Sequence, residues 1–227
     1  MKGMIGLLLL FSFGFSPEKI YRSMMEKREK IRSYHSWGRI KAKNKINNRE
    51  KLYGFELTYT EDRFRFVLTE WGDLTQVFVG KGDSIYSYDP RLGRLKSVST
   101  KIGVLGPSFG RNDFYEVFLG IPDSSTKPES SYIKGDSLVL FFSPQKRYFI
   151  DKRTGAVLRI VKSNGEVLYY GFKKRGGFLR PDSFRLPGWP SDLRFLLDFE
   201  EINPSLTEEE LNFIPFPSKA RVRRVKK

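Results

Sequence analysis

Between Gly54 and Pro90 the sequence runs through four short strand-like stretches separated by three polar turns, and this pattern constrains the fold more than any other feature of the chain. In RFRFVLTE (63–70), Phe64, Phe66 and Leu68 alternate with Arg63, Arg65 and Thr69. A period of two puts one face of a sheet in a core and leaves the other, here basic, in water. Thr60-Glu61-Asp62, Trp71-Gly72-Asp73 and Gly80-Lys81-Gly82-Asp83 carry residues suited to tight turns, so successive runs pair as antiparallel hairpins.

The basic run 36–46 and the run 52–59 precede this block, and a short strand at 93–98 follows it. The same grammar returns in SLVLFFS (137–143), KRYFIDK (146–152), GAVLRIVKS (155–163) and GEVLYYGFKK (165–174), with Asn164-Gly165 as a hairpin signal. Stretches 178–186 and 192–202 complete it; in DLRFLLDFE, Leu193, Phe195, Leu197 and Phe199 share one face, and Arg194, Asp198 and Glu200 the other. About ten or eleven strands with no helices between them predict a mainly β chain, either one large curved antiparallel sheet or an incomplete barrel.

Two stretches break the pattern. Pro17–Tyr34 places Ile20, Met24, Ile31 and Tyr34 on one helical face bordered by Lys and Arg, and predicts an amphipathic helix. It serves either as a helix packed on the sheet or as a lid or membrane-surface helix, with Met24 and Met25 giving an adaptable face. Residues 101–122 are Gly-rich and then helical, Asn112 or Asp113 capping a turn that bears Phe114, Val117, Phe118 and Leu119. This short, apolar helix is either a plug closing one end of the core or a movable cover over an apolar cavity.

The first 16 residues pair Lys2 with an apolar run and with Ser12 and Gly14 as small residues before a cleavage point, the pattern of an export leader cut after Gly14 or, with Pro17 as a poorer new N-terminus, after Ser16. Its apolar run is roughly a dozen residues, short of the ~20 that span a bilayer. The expected organisation is a leader over 1–16, one domain over 17–222 and a basic tail over 223–227. A net charge of +15 fits nucleic acid, an anionic membrane surface or an acidic partner; export argues against nucleic acid. The Lys/Arg rim and the tail, with six basic residues in KARVRRVKK, suit anionic lipid.

Catalytic groups are scarce. With no Cys, disulfides, thiolate metal sites and thiol nucleophiles are excluded. The single His, His35, stands at the boundary of the first helix and first strand without a sequence-evident partner. No phosphate-cradling Gly motif occurs, and Asp198, Glu200 and Glu201 read as a solvated face. The expectation is a non-enzymatic protein with no metal and no cofactor, whose Phe- and Tyr-rich interior holds a hydrophobic ligand. Phe64, Phe66, Leu68, Leu193, Phe195, Leu197 and Phe199 are the candidate cavity residues; Ile20, Met24, Phe114, Phe118 and Leu119 are the lid candidates.

The order of these elements resembles the bacterial outer-membrane lipoprotein carrier and receptor superfamily (LolA/LolB-like). The motifs are Gly82-Asp83-Ser84-Ile85-Tyr86-Ser87-Tyr88-Asp89-Pro90 and the late Leu211-Asn212-Phe213-Ile214-Pro215, with Trp37-Gly38-Arg39-Ile40 and Leu119-Gly120-Ile121-Pro122 nearer the receptor branch. The resemblance implies a half-open antiparallel β-barrel covered by the N-terminal amphipathic helix and the short central helix. It also implies a periplasmic, soluble carrier of lipid or lipoprotein acyl chains that delivers them to an envelope protein partner. The sequence departs from the receptor branch in having no Cys to acylate. It departs from the carrier branch in having Thr60-Glu61 where an Arg-Pro pair helps latch the lid. The alternative reading is a regulatory or interaction module of the envelope with a fully packed barrel.

Overall fold

The computed structural model describes residues 16–81, 84–98, 116–122, 127–163, 165–175, 177–187, 191–207 and 210–211. Residues 1–15 of the expected leader, Phe114 and the basic tail lie outside these residues. Thirteen strands in the described residues form one antiparallel sheet: β1 (Ser33–Asn44), β2 (Glu50–Thr60), β3 (Arg63–Glu70), β4 (Asp73–Lys81), β5 (Ser84–Asp89), β6 (Arg94–Val98), β7 (Ser130–Lys134), β8 (Ser137–Ser143), β9 (Lys146–Asp151), β10 (Val157–Lys162), β11 (Gly165–Arg175), β12 (Phe178–Leu186) and β13 (Ser191–Ile202). Each strand pairs with its sequence neighbours except that β6 and β7 do not pair with each other, and β1 joins β13 at the centre; the order β6-β5-β4-β3-β2-β1-β13-β12-β11-β10-β9-β8-β7 leaves β6 and β7 as edges. The barrel is therefore open between them.

The strand that the sequence hides is β7. All five of its residues are exposed, so it carries no burial alternation. It exists because Gly135, at φ +59°, turns the chain back so that Ser130–Lys134 pair with β8.

One helix, α1 (Pro17–Lys30), starts with Pro at its first turn and concentrates Lys27, Arg28 and Lys30 in its last, complementing the helix dipole. It ends four residues before the predicted Tyr34, which is already in β1. Asn203, just after β13, accepts hydrogen bonds from the amides of Arg32 and Ser33 and donates to the Lys30 carbonyl, fixing where the helix leaves the sheet. Ile20 and Met24 then enter the main core, and Tyr21 lies 6.1 Å from Phe142 of β8.

The main core lies on one face of the sheet, where Phe55, Phe66, Phe78, Phe184 and Phe195 join Ile40, Leu57, Tyr148 and Ile160. A smaller cluster of Val67, Val77, Val79 and Tyr88 covers the other face of β3–β5. On the main-core face, Gly80 lies beneath Phe64, whose ring occupies the space a Cβ on Gly80 would take, at 2.1 Å.

Candidate functional site

The candidate site is the concave face and the segment 116–122 that closes on it. Phe64, Phe66, Leu68, Leu193, Phe195 and Leu197 are all buried in the main core, as are Ile20, Met24, Phe118 and Leu119. Phe118 sits at the centre: its ring lies 5.0 Å from Phe184, 5.7 Å from Phe195, 6.2 Å from Phe55 and 6.4 Å from Phe66, mostly edge-on. Such edge-to-face arrangements are favoured by the ring quadrupole. Of the expected central helix, the described part is the turn at Glu116 and Val117, after which the chain bends.

Phe199 departs from the expected face, and one irregularity explains why. Trp37 pairs with Phe199 but Gly38 pairs with Leu197, so Asp198 is an extra residue, a β-bulge. Past the bulge the inward parity changes from odd to even. Phe199 turns outward to stack on Trp37 at 5.8 Å and 12°. Glu200, expected on a solvated face, turns inward, and its side chain is fully buried. The bulge brings the backbones so close that a Cβ on Gly38 would meet the Leu196 carbonyl oxygen at 2.0 Å, which requires glycine there.

The inward carboxylate meets an inward guanidinium. Arg180 of β12 donates from Nε and Nη2 to Glu200 Oε1 at 2.9 and 2.7 Å, and Tyr34 donates its hydroxyl to the same oxygen at 2.8 Å. Arg175 donates to Glu200 Oε2 at 3.2 Å. The remaining Arg180 donors reach the covering segment, at 2.6 Å to the Leu119 carbonyl and 2.5 Å to the Phe118 carbonyl. Burial opposes the charge on Arg180, but Glu200 and Tyr34 outweigh it and hold the guanidinium pKa above its ordinary value. Burial, with help from Arg180, lowers the pKa of Lys27 in α1.

The other end of the segment is held differently. Glu116, itself buried, forms ion pairs with Lys146 of β9 and with Lys162 of β10, the latter at 2.8 Å. Burial pushes the Glu116 carboxyl up, yet the two ammoniums outweigh it and hold it below the ordinary carboxylate range. Tyr169 of β11 shares its single hydroxyl hydrogen between the Glu116 and Val117 carbonyls, at 2.5 and 2.9 Å, and burial pushes its own pKa well up. Arg28 of α1 donates to the Pro122 carbonyl at 3.0 Å. Side chains from α1, β11 and β12 thus take carbonyls at five positions of the segment, which lies outside the sheet.

Sequence reading missed this latch. It noted Thr60-Glu61 in place of an Arg-Pro pair; Arg180-Pro181 in β12 supplies the guanidinium that grips the cover. The signal was present in the alternation, because Arg180 shares even parity with Phe184 and Leu186. Likewise Lys146 shares parity with Tyr148 and Ile150, and Lys162 with Ile160. His35 lies within β1, with Nε2 3.1 Å from Glu56 Oε1 on the outer face. No group of three or more His, Cys, Asp or Glu among the described residues is placed to hold a metal ion.

Neither a protein-family model nor a curated protein matches the sequence. Solved structures do match the fold. A LolA superfamily protein from Nitrosomonas europaea aligns at 13% identity and TM-score 0.62, covering 85% of this chain and 97% of that one. An outer membrane lipoprotein-sorting protein domain from Vibrio parahaemolyticus aligns at 12% identity and TM-score 0.60, covering 86% and 97%. A DUF1329 family protein from Desulfovibrio piger aligns at 9% and 0.60, covering 84% and 93%. The chain therefore has the LolA/LolB-like fold, a half-open antiparallel barrel with a helix over its concave face.

Proposed function

We propose that this protein is an exported, non-enzymatic carrier or binding protein. It holds the acyl chains of lipid or lipoprotein against the concave face and delivers them to an envelope partner. One observation carries the reading: Phe118 fills the centre of an apolar concavity from a segment gripped by side chains rather than woven into the sheet. Removing that ring exposes Phe55, Phe66, Phe184 and Phe195 together, a surface suited to a methylene chain, each buried methylene of which contributes ~0.8 kcal/mol. The fold shared with an outer membrane lipoprotein-sorting protein domain supports a lipoprotein cargo.

In the closed state the aromatic side chains are in mutual contact, Phe184 stacking on Phe195 at 4.5 Å, so cargo enters by displacing Phe118. The steps are release of the 116–122 carbonyls by Arg180, Tyr169 and Arg28, withdrawal of Phe118, and entry of the chain. The Lys/Arg rim and tail then face an anionic membrane surface or the acidic face of a partner. The protein acts in the periplasm after removal of its leader.

Two measurements test this. Mass spectrometry of small molecules extracted after expression with the native N-terminus and mild purification is expected to recover a lipid or acylated peptide near one per chain. Phe118→Ala is expected to speed uptake of a fluorescent acyl probe. Clean protein that takes up no probe would instead make the chain a packed interaction module, and a retained leader on periplasm-excluded protein would refute export.

A further inference from the structure

Two lysines occupy the concave, apolar face at one end of the sheet. Lys146 opens β9 just after the turn from β8, and Lys162 closes β10 just before the turn to β11. The two strands pair with Val161 opposite Arg147, so Lys146 and Lys162 lie one step further along the same ladder. Like charges opposed across a ladder repel, and on an apolar face they are also short of water. An anion between them removes both costs, and the structure puts one there: the carboxylate of Glu116, with Lys162 at 2.8 Å on one oxygen and Lys146 on the other.

That anion belongs to the covering segment. When 116–122 lifts, Glu116 leaves with it and the two ammoniums stay on the rigid sheet. Behind them the surface is apolar and continuous with the main core, through Phe142, whose ring lies 5.7 Å from Lys146 Nζ, Tyr148 and Ile160. The lysine side chains are about one-quarter exposed, so a group bound there keeps contact with solvent while a chain attached to it runs inward. Two cations at the mouth of an apolar concavity match a molecule with an acidic head and an aliphatic tail.

We propose that Lys146 and Lys162 form the headgroup site for an amphiphile bearing a phosphate or carboxylate, and that Glu116 is the internal anion filling this site while the cover is closed. The proposal rests on the carrier reading and names its cargo class. Cargo binding and cover closure then exclude one another twice over, at the headgroup through Glu116 and at the tail through Phe118. Unloading follows the same logic in reverse, with Glu116 competing for the lysines as the segment returns.

The test uses full-length mature protein and two probes, dansyl-undecanoic acid and its uncharged primary amide. The acid is expected to bind about tenfold more tightly than the amide, the scale of one charge-assisted hydrogen-bond pair. In K146M/K162M the ratio of the two dissociation constants is expected to fall to about one. Because that variant strands Glu116, E116Q provides an independent arm: it keeps both ammoniums and removes the anion that holds the cover on them, so both probes are expected to bind about threefold more tightly while the acid-to-amide preference stays near tenfold. Acid and amide bound equally in both wild type and E116Q would overturn the headgroup site while leaving the carrier reading intact. Binding of neither probe would overturn both. Inorganic phosphate alone is a third arm: displacement of the acid only at large excess supports the amphiphile, and binding as tight as the acid would overturn it in favour of a free-anion site.

Discussion

The two ends of the covering segment are held by charge in opposite ways. At the Phe118–Leu119 end the sheet supplies both signs, Arg180 and Glu200, and the cover contributes only carbonyl oxygens. At the Glu116 end the cover supplies the anion and the sheet two cations. The first cluster is sealed, with the Arg180 and Glu200 side chains 3% and 0% exposed; in the second the lysine side chains are 23% and 22% exposed. The difference separates a structural clamp from a releasable one. Arg180 and Glu200 both belong to the sheet, so their pairing does not depend on the cover, whereas the pairs of Glu116 with Lys146 and Lys162 join the cover to the sheet and would break if the cover lifted.

The most forceful way to break this comparison is Arg180→Met. It leaves the buried Glu200 carboxylate with Tyr34 and Arg175 only, and one-sided removal of a buried ion pair costs about 3–5 kcal/mol. Urea unfolding is expected to show that loss across the whole domain, since β1, β12 and β13 all meet at Glu200. Adding Glu200→Gln is expected to restore much of it. A loss for Arg180→Met no larger than that for Glu116→Gln would erase the distinction between the two ends.

How much of this was legible in the sequence follows from where alternation is regular. Phe64, Phe66 and Leu68 alternate without interruption and point into the core as read. The reading fails at Phe199 and Glu200 because the bulge at Asp198 changes parity, and nothing in DLRFLLDFE marks the extra residue except that Gly38 stands opposite in a strand paired across more than 150 positions of sequence. Strand β7 was invisible because an exposed edge has no buried face to betray it. Arg180, Lys146 and Lys162 are a different case. Their parity placed them inward, but charge was taken as a mark of the wet face, and only a tertiary partner makes an inward charge tolerable: Glu200 of β13 for Arg180, Glu116 of the cover for the two lysines.

Tyr169→Phe sharpens the comparison at smaller scale. It removes the hydroxyl hydrogen shared by the Glu116 and Val117 carbonyls and leaves both charge clusters in place, for a cost of about 1–2 kcal/mol. The cost is expected to be local. Hydrogen exchange read by mass spectrometry should accelerate in the peptide holding 116–122 and remain slow in β1 and β13. Acceleration spread evenly over the sheet would mean that the cover and the barrel unfold together.

Acid separates the two ends without mutation. The lysines hold the Glu116 carboxyl below its ordinary value of 4.5, so its contribution is fully present above that value and is lost as pH falls through the lower folded value. At the other end the cover offers Arg180 only carbonyls, which do not titrate. Probe uptake by the wild type is therefore expected to quicken as pH falls below 4.5, with Glu116→Gln fast and flat over the same range. Equal acid acceleration in both would place the sensitive group elsewhere.

Phe199→Ala gives the smallest effect and tests the face assignment on which the comparison depends. Its ring lies on the outer surface between Trp37 and His35, at 5.8 and 5.7 Å. Losing an exposed aromatic stack is expected to cost about 0.5–1 kcal/mol and to shift the emission of Trp37, while the acyl-probe affinity stays at the wild-type value. Phe195→Ala, four residues away and before the bulge, is expected to cost about 3–5 kcal/mol and to change probe affinity, because Phe195 packs against Phe118 and Phe184 in the concavity. Similar behaviour of the two variants would mean that β13 keeps one parity throughout. Glu200 would then face solvent and the sealed end of the latch would not exist.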